Sequence, residues 1–479
     1  MKNCTKVTKI SKIEVLQDSD NNVVSNTKRS KNNKASGGNM KQKLNLSLAV
    51  IAALMGFTTT THAAGFALIE QSASGMGNAY AGVAASAEDA STIFFNPAGM
   101  TYIEGTQMVG ALHLIKPTGH FDNNGSVAAN SVFAPGSFRP LGSEGGDIGD
   151  LAFVPNLYFK TDITENLKAG IGINAPFGLK TEYDKDWIGR FQAVKSELKT
   201  ININPSLAFK VNDQLSLGLG VSAMWAQAEL TSAVNFGPFG EGFTKLKGDD
   251  WGFGFNLGAI YQATPDTRLG LAYRSKIDQH IDGDVKFTRP AGLSPLLVNA
   301  TPNGGAKADI SLPETLSLSA FSKVNDTWDV MGDVTWTRWS RLQELAAVRT
   351  DGALAGRDIL RVKENWSNTL RYSIGATYHY SEKLKLRAGL AYDEEALGTE
   401  TRTARIPGND RKWVSLGLGY QMTPASRFDL GYAHLFVSEA KIDDNQTAIG
   451  ATNPLSKGRV KGEYDASVDI LSVQLTHNF

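Results

Sequence analysis

Apolar and polar residues alternate along most of the chain after its first hundred residues. In residues 251–261 the odd positions, from Trp251 to Tyr261, are all apolar, whereas the even positions hold three glycines, one asparagine and Ile260. A period of two predicts a β-strand with two different faces. Ten residue steps of about 3.3 Å, tilted by about 45°, rise roughly 23 Å, close to the apolar band of about 25 Å on membrane barrels. The pattern therefore favours strands that cross a membrane, with aromatic residues at both interfaces.

The same alternation recurs in residues 371–380, 384–392 and 414–420. Together with the turns between such segments, it predicts fourteen strands. Their approximate ranges are 105–116, 150–160, 166–175, 198–210, 214–230, 250–262, 267–279, 308–323, 327–339, 368–380, 383–393, 411–421, 426–437 and 466–479. Six short turns alternate with seven long connections between these ranges. An even number of antiparallel strands with short periplasmic turns and long outer loops is typical of an outer-membrane barrel.

A targeting segment precedes the alternating part of the chain. From Met40, two lysines are followed by an apolar run of about 14 residues and by small residues before Ala64, which is the pattern of a signal peptide. The run is shorter than the roughly 20 residues of a membrane-spanning helix. Residues 1–39 are polar and basic, and we interpret them as an extension from a start codon assigned too early or, as the alternative, as a long n-region.

Composition narrows the classes of function. Lys and Arg number 48 and so do Asp and Glu, so no basic field points to nucleic acid. Removing residues 1–63 leaves 38 basic against 45 acidic residues, a net charge of −7. The single cysteine, Cys4, excludes a disulfide framework and a cysteine-based zinc site. The sequence contains no HExxH, GxSxG or phosphate-loop motif, and we expect no catalysis, cofactor or metal.

Residues 64–104 break the alternation and precede the first strand. The segment is rich in Ala, Gly and Ser, and its spacing of small apolar residues allows short helices, so we expect a tail or a plug. Asn96-Pro97-Ala98 is a turn signal, because proline fixes φ and the asparagine side chain can bond backbone groups. The predicted organisation is an N-terminal extension (1–39), a signal peptide (40–63), a plug (64–104) and a transmembrane barrel (105–479).

Several ordered blocks resemble the FadL-type outer-membrane long-chain fatty acid transporters over nearly all of residues 64–479. They include SASGMGNAYAG, EDASTIFFNPAGM, KSELKTININPSLAFKVND and IPGNDRKWVSLGLGY. The resemblance implies an all-β membrane protein, a 14-stranded antiparallel transmembrane β-barrel plugged by a short N-terminal helical hatch. It also implies residence in the outer membrane of a Gram-negative bacterium, and passive uptake of apolar substrates through a hydrophobic pocket.

In that family the substrate leaves sideways into the membrane, through an opening at an inward kink of the third strand. The kink corresponds to a stretch where Pro176 removes a ladder donor and Gly178 weakens pairing; alternatively, Pro176 ends the strand at a loop. The residues that the resemblance assigns are Asn96, Pro97 and Ala98 for the hatch, and Asn174, Ala175, Pro176, Phe177 and Gly178 for the lateral opening.

A carboxylate head group would require a cation. The alternation directs Arg371, Lys385 and Arg387 into the barrel, and Arg190 lies near the third long loop, so these four are candidate carboxylate contacts. Ordinary barrel lining and lipopolysaccharide binding account for the same residue types, and the sequence leaves this open.

The substrate class and the partners complete the predictions. Long-chain fatty acids are the first candidate, aromatic hydrocarbons taken up by the same route are the second, and an adhesin or structural barrel without transport is the alternative of a different class. We expect outer-membrane lipid, lipopolysaccharide and the barrel assembly machinery as partners, the last because an alternating strand ends at Phe479. We expect a monomer that binds no nucleic acid.

Overall fold

The chain folds into a closed barrel. The computed structural model describes residues 65–130, 138–447 and 456–479, so the predicted extension and signal peptide lie outside the described residues. Each strand pairs antiparallel with its neighbours in chain order, and the last strand pairs with the first, from Gln107 opposite Asn478 to Asn123 opposite Gly462. The fold is a closed antiparallel β-barrel of 14 strands, which confirms the predicted fold class.

Eight strands are continuous and six are interrupted. The continuous strands are β1 (Gln107–Asn123), β2 (Ala152–Asp162), β4 (Lys195–Lys210), β5 (Leu215–Asn235), β6 (Glu241–Thr264), β11 (Leu384–Asp393), β12 (Arg411–Gln421) and β14 (Gly458–Asn478). The interrupted strands are β3 (Leu167–Asn174, Gly178–Glu182), β7 (Thr267–Arg274, Ile277–Thr288), β8 (Gly304–Leu312, Thr315–Lys323), β9 (Trp328–Thr337, Glu344–Arg349), β10 (Asp358–Lys363, Thr369–His379) and β13 (Ser426–Val437, Ala440–Gln446).

The two faces of the strands differ as the alternation requires. On β6, Trp251, Phe253 and Phe255 point outward and stay exposed, with Phe253 at 72%. Ile260, on the opposite face, is fully buried against small residues of the plug. The apolar face of each strand is therefore the lipid-facing one, and glycine and polar residues line the interior.

The plug fills the interior with short helical turns. They are α1 (Ala73–Met76), α2 (Val83–Ser86), α3 (Thr92–Phe95) and a 3-10 helix (Pro97–Tyr102), while α4 (Pro295–Ala300) and 3-10 turns at Gly237–Phe239, Trp339–Arg341 and Gly352–Leu354 lie outside it. Lumen-facing glycines let the plug backbone touch the wall: a Cβ at Gly389 would overlap the backbone of Asn78, and one at Gly258 the side chain of Asn96. No helix among the described residues is long and apolar enough to span a membrane.

Candidate functional site

The side chain of Asn96 makes hydrogen bonds both within the plug and to the barrel wall. Its side-chain amide donates to the carbonyls of Ala84 at 2.7 Å and Ala259 at 3.0 Å, and its side-chain oxygen accepts from the N–H of Ala98 at 3.1 Å. Pro97 then starts the 3-10 helix with no N–H to satisfy. Asn96 is fully buried, so an apolar residue at this position would leave buried carbonyls without partners.

A buried ion network fixes the plug near the short-turn end of the barrel. Arg387, close to the start of β11, contacts Glu88 of the plug at 2.6 Å and Asp429 of β13 at 3.0 Å. Arg427 contacts Asp89 and Asp429, both at 2.8 Å. Burial alone would raise the pKa of Glu88, but the surrounding arginines hold it well below its ordinary value. Glu88 therefore stays ionised, and both Glu88 and Asp89 of the plug are paired with arginines of the wall.

The third strand contains a one-residue bulge. Asn174 lies opposite Asn202 of β4, and Gly178 lies opposite Lys199, so four residue steps on β3 face three on β4. The extra residue interrupts the ladder over 175–177 and bends the strand. Thr200 of β4 bridges the break, since its hydroxyl donates to the carbonyl of Phe177 at 2.6 Å. Pro176 thus lies within an interrupted strand.

The bulge leaves a stretch of β2 unpaired on one side. The β2–β3 ladder runs from Leu157 opposite Ile173 toward the short turn, whereas β2 continues beyond Leu157 to Ala152 paired with β1 alone. Pro155 lies in this edge stretch, where a proline removes no needed donor. The described part of the wall therefore has a gap between β2 and β3 in its outer half.

The first residues of the plug cover the inner side of this gap. The N–H of Leu68 donates to the carbonyl of Pro176 at 2.8 Å, and the N–H of Gly178 donates to the carbonyl of Phe66 at 3.0 Å. Gln71 adds a side-chain hydrogen bond to the carbonyl of Ala175 at 3.1 Å. Residues 66–71 therefore satisfy the backbone groups that the bulge frees, and any movement of this segment would uncover the gap.

A cavity of about 930 Å³ connects the barrel interior with the gap. Inside, an aromatic cluster lines or borders it: Phe66 and Trp339 have ring centroids 4.9 Å apart, and Phe66 and Phe177 have centroids 6.1 Å apart. On the other side the lining reaches the lipid-facing residues Phe153 and Ile201. The cavity is thus apolar over most of its length and continuous with the outer surface of the wall.

Three charged side chains from adjacent strands line the same cavity. Arg371 of β10 lies opposite Asp393 of β11, which lies opposite Arg411 of β12. Arg371 donates through Nη2 to the carbonyl of Ala79 at 2.9 Å, while its Nε and Nη1 have no hydrogen-bond partner. Its guanidinium lies 5.1 Å from the ring of Trp413. Two buried donors of one arginine are therefore available to an occupant of the cavity.

The other predicted cations lie elsewhere. Arg387 and Lys385 face the plug and contact Glu88, Lys385 at 3.5 Å. Arg190 is buried among the outer loops, where it makes two hydrogen bonds to Glu241, at 2.9 and 2.8 Å. Of the four candidates only Arg371 lines the cavity in the described part of the chain, so the structure does not bring the four together.

Some cavity residues escaped the sequence reasoning. Only the register of neighbouring strands reveals Asp393 and Arg411 as cavity residues. Asp393 lies directly opposite Arg371, and Arg411 lies directly opposite Asp393. The alternation in 384–392 and 411–421 carries this signal, provided the two strands are aligned through their loop. Glu70 in the plug has no comparable signal, because it lies outside any regular element.

The fold and the site define a class: a β-barrel with an internal plug, a large apolar cavity and a gap in its wall. Comparison with known proteins identifies the family. The chain belongs to the family described as "Outer membrane protein transport protein (OMPP1/FadL/TodX)", which matches residues 54–479. It is therefore an outer-membrane protein that transports hydrophobic compounds, and it is not an enzyme.

The relatives match most of this chain and nearly all of their own length. Outer membrane protein P1 of Haemophilus influenzae is 36% identical over 82% of this chain and 90% of its own length. A long-chain fatty acid transport protein of Escherichia coli O6:H1 is 32% identical over 84% of this chain and 93% of its own. The crystal structure of a Pseudomonas aeruginosa FadL homologue superposes with a TM-score of 0.79 at 26% identity, covering 87% of this chain and 100% of that one.

Proposed function

We propose that this protein takes up long-chain fatty acids across the outer membrane by passive diffusion. The acid enters the apolar cavity from outside and leaves sideways through the gap between β2 and β3 into the membrane. The observation that carries the proposal is the continuous apolar cavity of about 930 Å³ between the plug and the lipid-facing wall. The family membership and the 32% identical fatty acid transport protein support the substrate class.

The size and the chemistry of the cavity favour a long alkyl chain. Its volume lies near the upper end of the roughly 300–1,000 Å³ of sites for small organic ligands. Each CH₂ group moved from water into such a cavity gains about 0.8 kcal/mol, so a long chain binds without an energy source. A single aromatic ring would fill only part of the space and would leave Nε and Nη1 of Arg371 without a hydrogen-bond partner.

A sideways route agrees with the polarity of the interior. Below the cavity, the plug and its ion network present charged and hydrogen-bonded groups such as Arg387 and Asp429. An alkyl chain that continued downward would have to displace these groups, whereas Phe153 and Ile201 lead directly to lipid. Substrate concentration then drives the flow, and consumption inside the cell maintains the gradient.

The direct test is uptake of labelled oleate and labelled toluene by cells that lack their own transporter, with and without this chain. We expect the chain to raise oleate uptake at least tenfold and toluene uptake little. A rise for toluene alone would assign the protein to aromatic hydrocarbons. If neither rises although the folded barrel is present in the outer membrane, the proposal fails and the adhesin or structural alternative gains support.

Replacing Arg371 is expected to affect acids more than neutral substrates. In Arg371→Gln the cavity loses its unpaired guanidinium donors, and charge-assisted hydrogen bonds of this kind contribute about 1.5–3 kcal/mol. Oleate uptake should therefore show a KM increased by about tenfold or more, with oleyl alcohol uptake unchanged. Arg371→Lys, which keeps the charge, should be affected less. An equal loss for the acid and the alcohol would mean that Arg371 acts only by holding the plug through Ala79.

A further inference from the structure

Glu70 presents a buried carboxyl group to the cavity, next to the gap. Its backbone carbonyl accepts from the side-chain amide of Asn156, on the unpaired stretch of β2, at 2.9 Å. The side chain lines the cavity, the residue is only 5% exposed, and Oε2 has no hydrogen-bond partner. A buried polar atom of this kind is unusual in a folded protein and calls for an explanation.

The charged and titratable groups around Glu70 come from four elements. Arg371, Asp393 and Arg411 face it from β10, β11 and β12, and Tyr80 faces it from the plug. Burial raises the pKa of Glu70 to about 7, and the two arginines and a backbone hydrogen bond only partly oppose this. Near neutral pH the group therefore holds a proton for about half of the time, in a cavity that also contains donors for an anion.

We propose that Glu70 shares its proton with the carboxyl group of the bound fatty acid, so that the acid enters the membrane as a neutral molecule. The inference rests on the proposed function. In the step, the Glu70 O–H bond breaks as a new O–H bond forms on the substrate carboxylate, and the Glu70 carboxylate later takes a proton from outside water. No other reactant is required.

Two physical arguments support the step. Two carboxyl groups in one buried site cannot both be ionised without strong repulsion, so the pair retains one proton. An ionised head group passing between Phe153 and Ile173 into lipid would also pay the high desolvation cost of a charge in hydrocarbon, which a neutral acid avoids. Arg371 would then attract the anion on arrival, and the Glu70 proton would release the acid from it.

The test compares the pH dependence of uptake between the wild type and Glu70→Gln, with labelled oleate and labelled oleyl alcohol at pH 6 to 9. Glu70 is protonated below pH 7 and ionised above it, so wild-type oleate uptake should exceed that of Glu70→Gln about tenfold at pH 6 and approach it at pH 9. The ratio cancels the titration of oleate itself, which is the same for both proteins. Oleyl alcohol uptake should not differ between them at any pH.

Two further variants test whether the pH dependence requires a carboxyl group at position 70. Glu70→Asp keeps a carboxyl group and should retain the pH dependence. Glu364→Gln changes another fully buried carboxyl, which accepts from Trp366 Nε1 at 3.0 Å and does not line the cavity in the described residues, and it should behave as wild type. If the ratio of oleate uptake between wild type and Glu70→Gln stays constant across this pH range, the inference about Glu70 is overturned but the proposed function is not. Absence of chain-dependent uptake for both substrates would instead overturn the proposed function.

Discussion

Deleting Ala175 from the third strand is expected to abolish oleate uptake, by more than tenfold, while the barrel still folds. The bulge consists of four residue steps on β3 against three on β4, between Asn174 and Gly178. Removing one residue makes the two counts equal, and the residues on either side keep the faces they now occupy. The third strand can then run straight beside β2, and the wall gap closes.

Uptake of labelled oleate in cells without their own transporter measures the effect, and resistance of the extracted barrel to unfolding in detergent shows that it has folded. Pro176→Ala is the matched control, because it changes the same stretch without changing the residue count, so the bulge and most of the uptake should remain. If the deletion variant folds and still takes up oleate at the wild-type rate, the acid does not leave through this gap.

The alternation of residues predicted the barrel well because lipid and the interior select different side chains along each strand. The segment from Trp251 to Tyr261 illustrates this, since its apolar face proved to be the lipid face. The same reasoning missed the outer extensions of several strands. Strand β6 starts at Glu241 rather than near 250, and β14 starts at Gly458 rather than 466, because neither face meets lipid there and the period of two fades.

The interruptions were also less visible than the strands. The predicted range 308–323 is two segments separated at Pro313, a residue that cannot donate to the ladder. At Pro176 the sequence suggested either a kink or the end of a strand, and only the register against β4 separates these two readings. Register depends on turns and on partners distant in sequence, which a single strand pattern does not contain.

The contacts of the charged residues in the barrel interior were equally hard to predict from the strand pattern. Alternation places Arg371 and Arg387 on the inner face, but it cannot tell that Arg371 meets a cavity while Arg387 meets Glu88 of the plug. Both outcomes depend on where the plug lies inside the barrel. The plug has no long element of its own, so its position is determined by small contacts, such as those between Asn78 and the wall glycines.

Replacing Arg387 by alanine is expected to loosen the plug strongly while the barrel remains closed. The Arg387 side chain is fully buried and contacts Glu88 and Asp429. Its loss leaves a buried Asp429 with a single partner, and breaking a buried ion pair on one side typically costs about 3–5 kcal/mol. Much of this cost disappears when the plug detaches and water reaches Asp429. The substitution therefore destabilises the docked plug more than the detached plug.

Hydrogen exchange of the plug amides between Ala73 and Tyr102 measures this directly, and entry of a hydrophilic antibiotic into cells provides a second measurement. Both should rise at least tenfold in Arg387→Ala. Arg361→Ala removes an exposed arginine paired with Glu344 and Asp358 and should change neither, because exposed pairs contribute little.

In the double variant Glu88→Ala with Arg387→Ala, the effects should be far from additive, since both residues act through one contact. Additive effects, or unchanged exchange in Arg387→Ala, would show that the wall glycines and Asn96 hold the plug without the ion network.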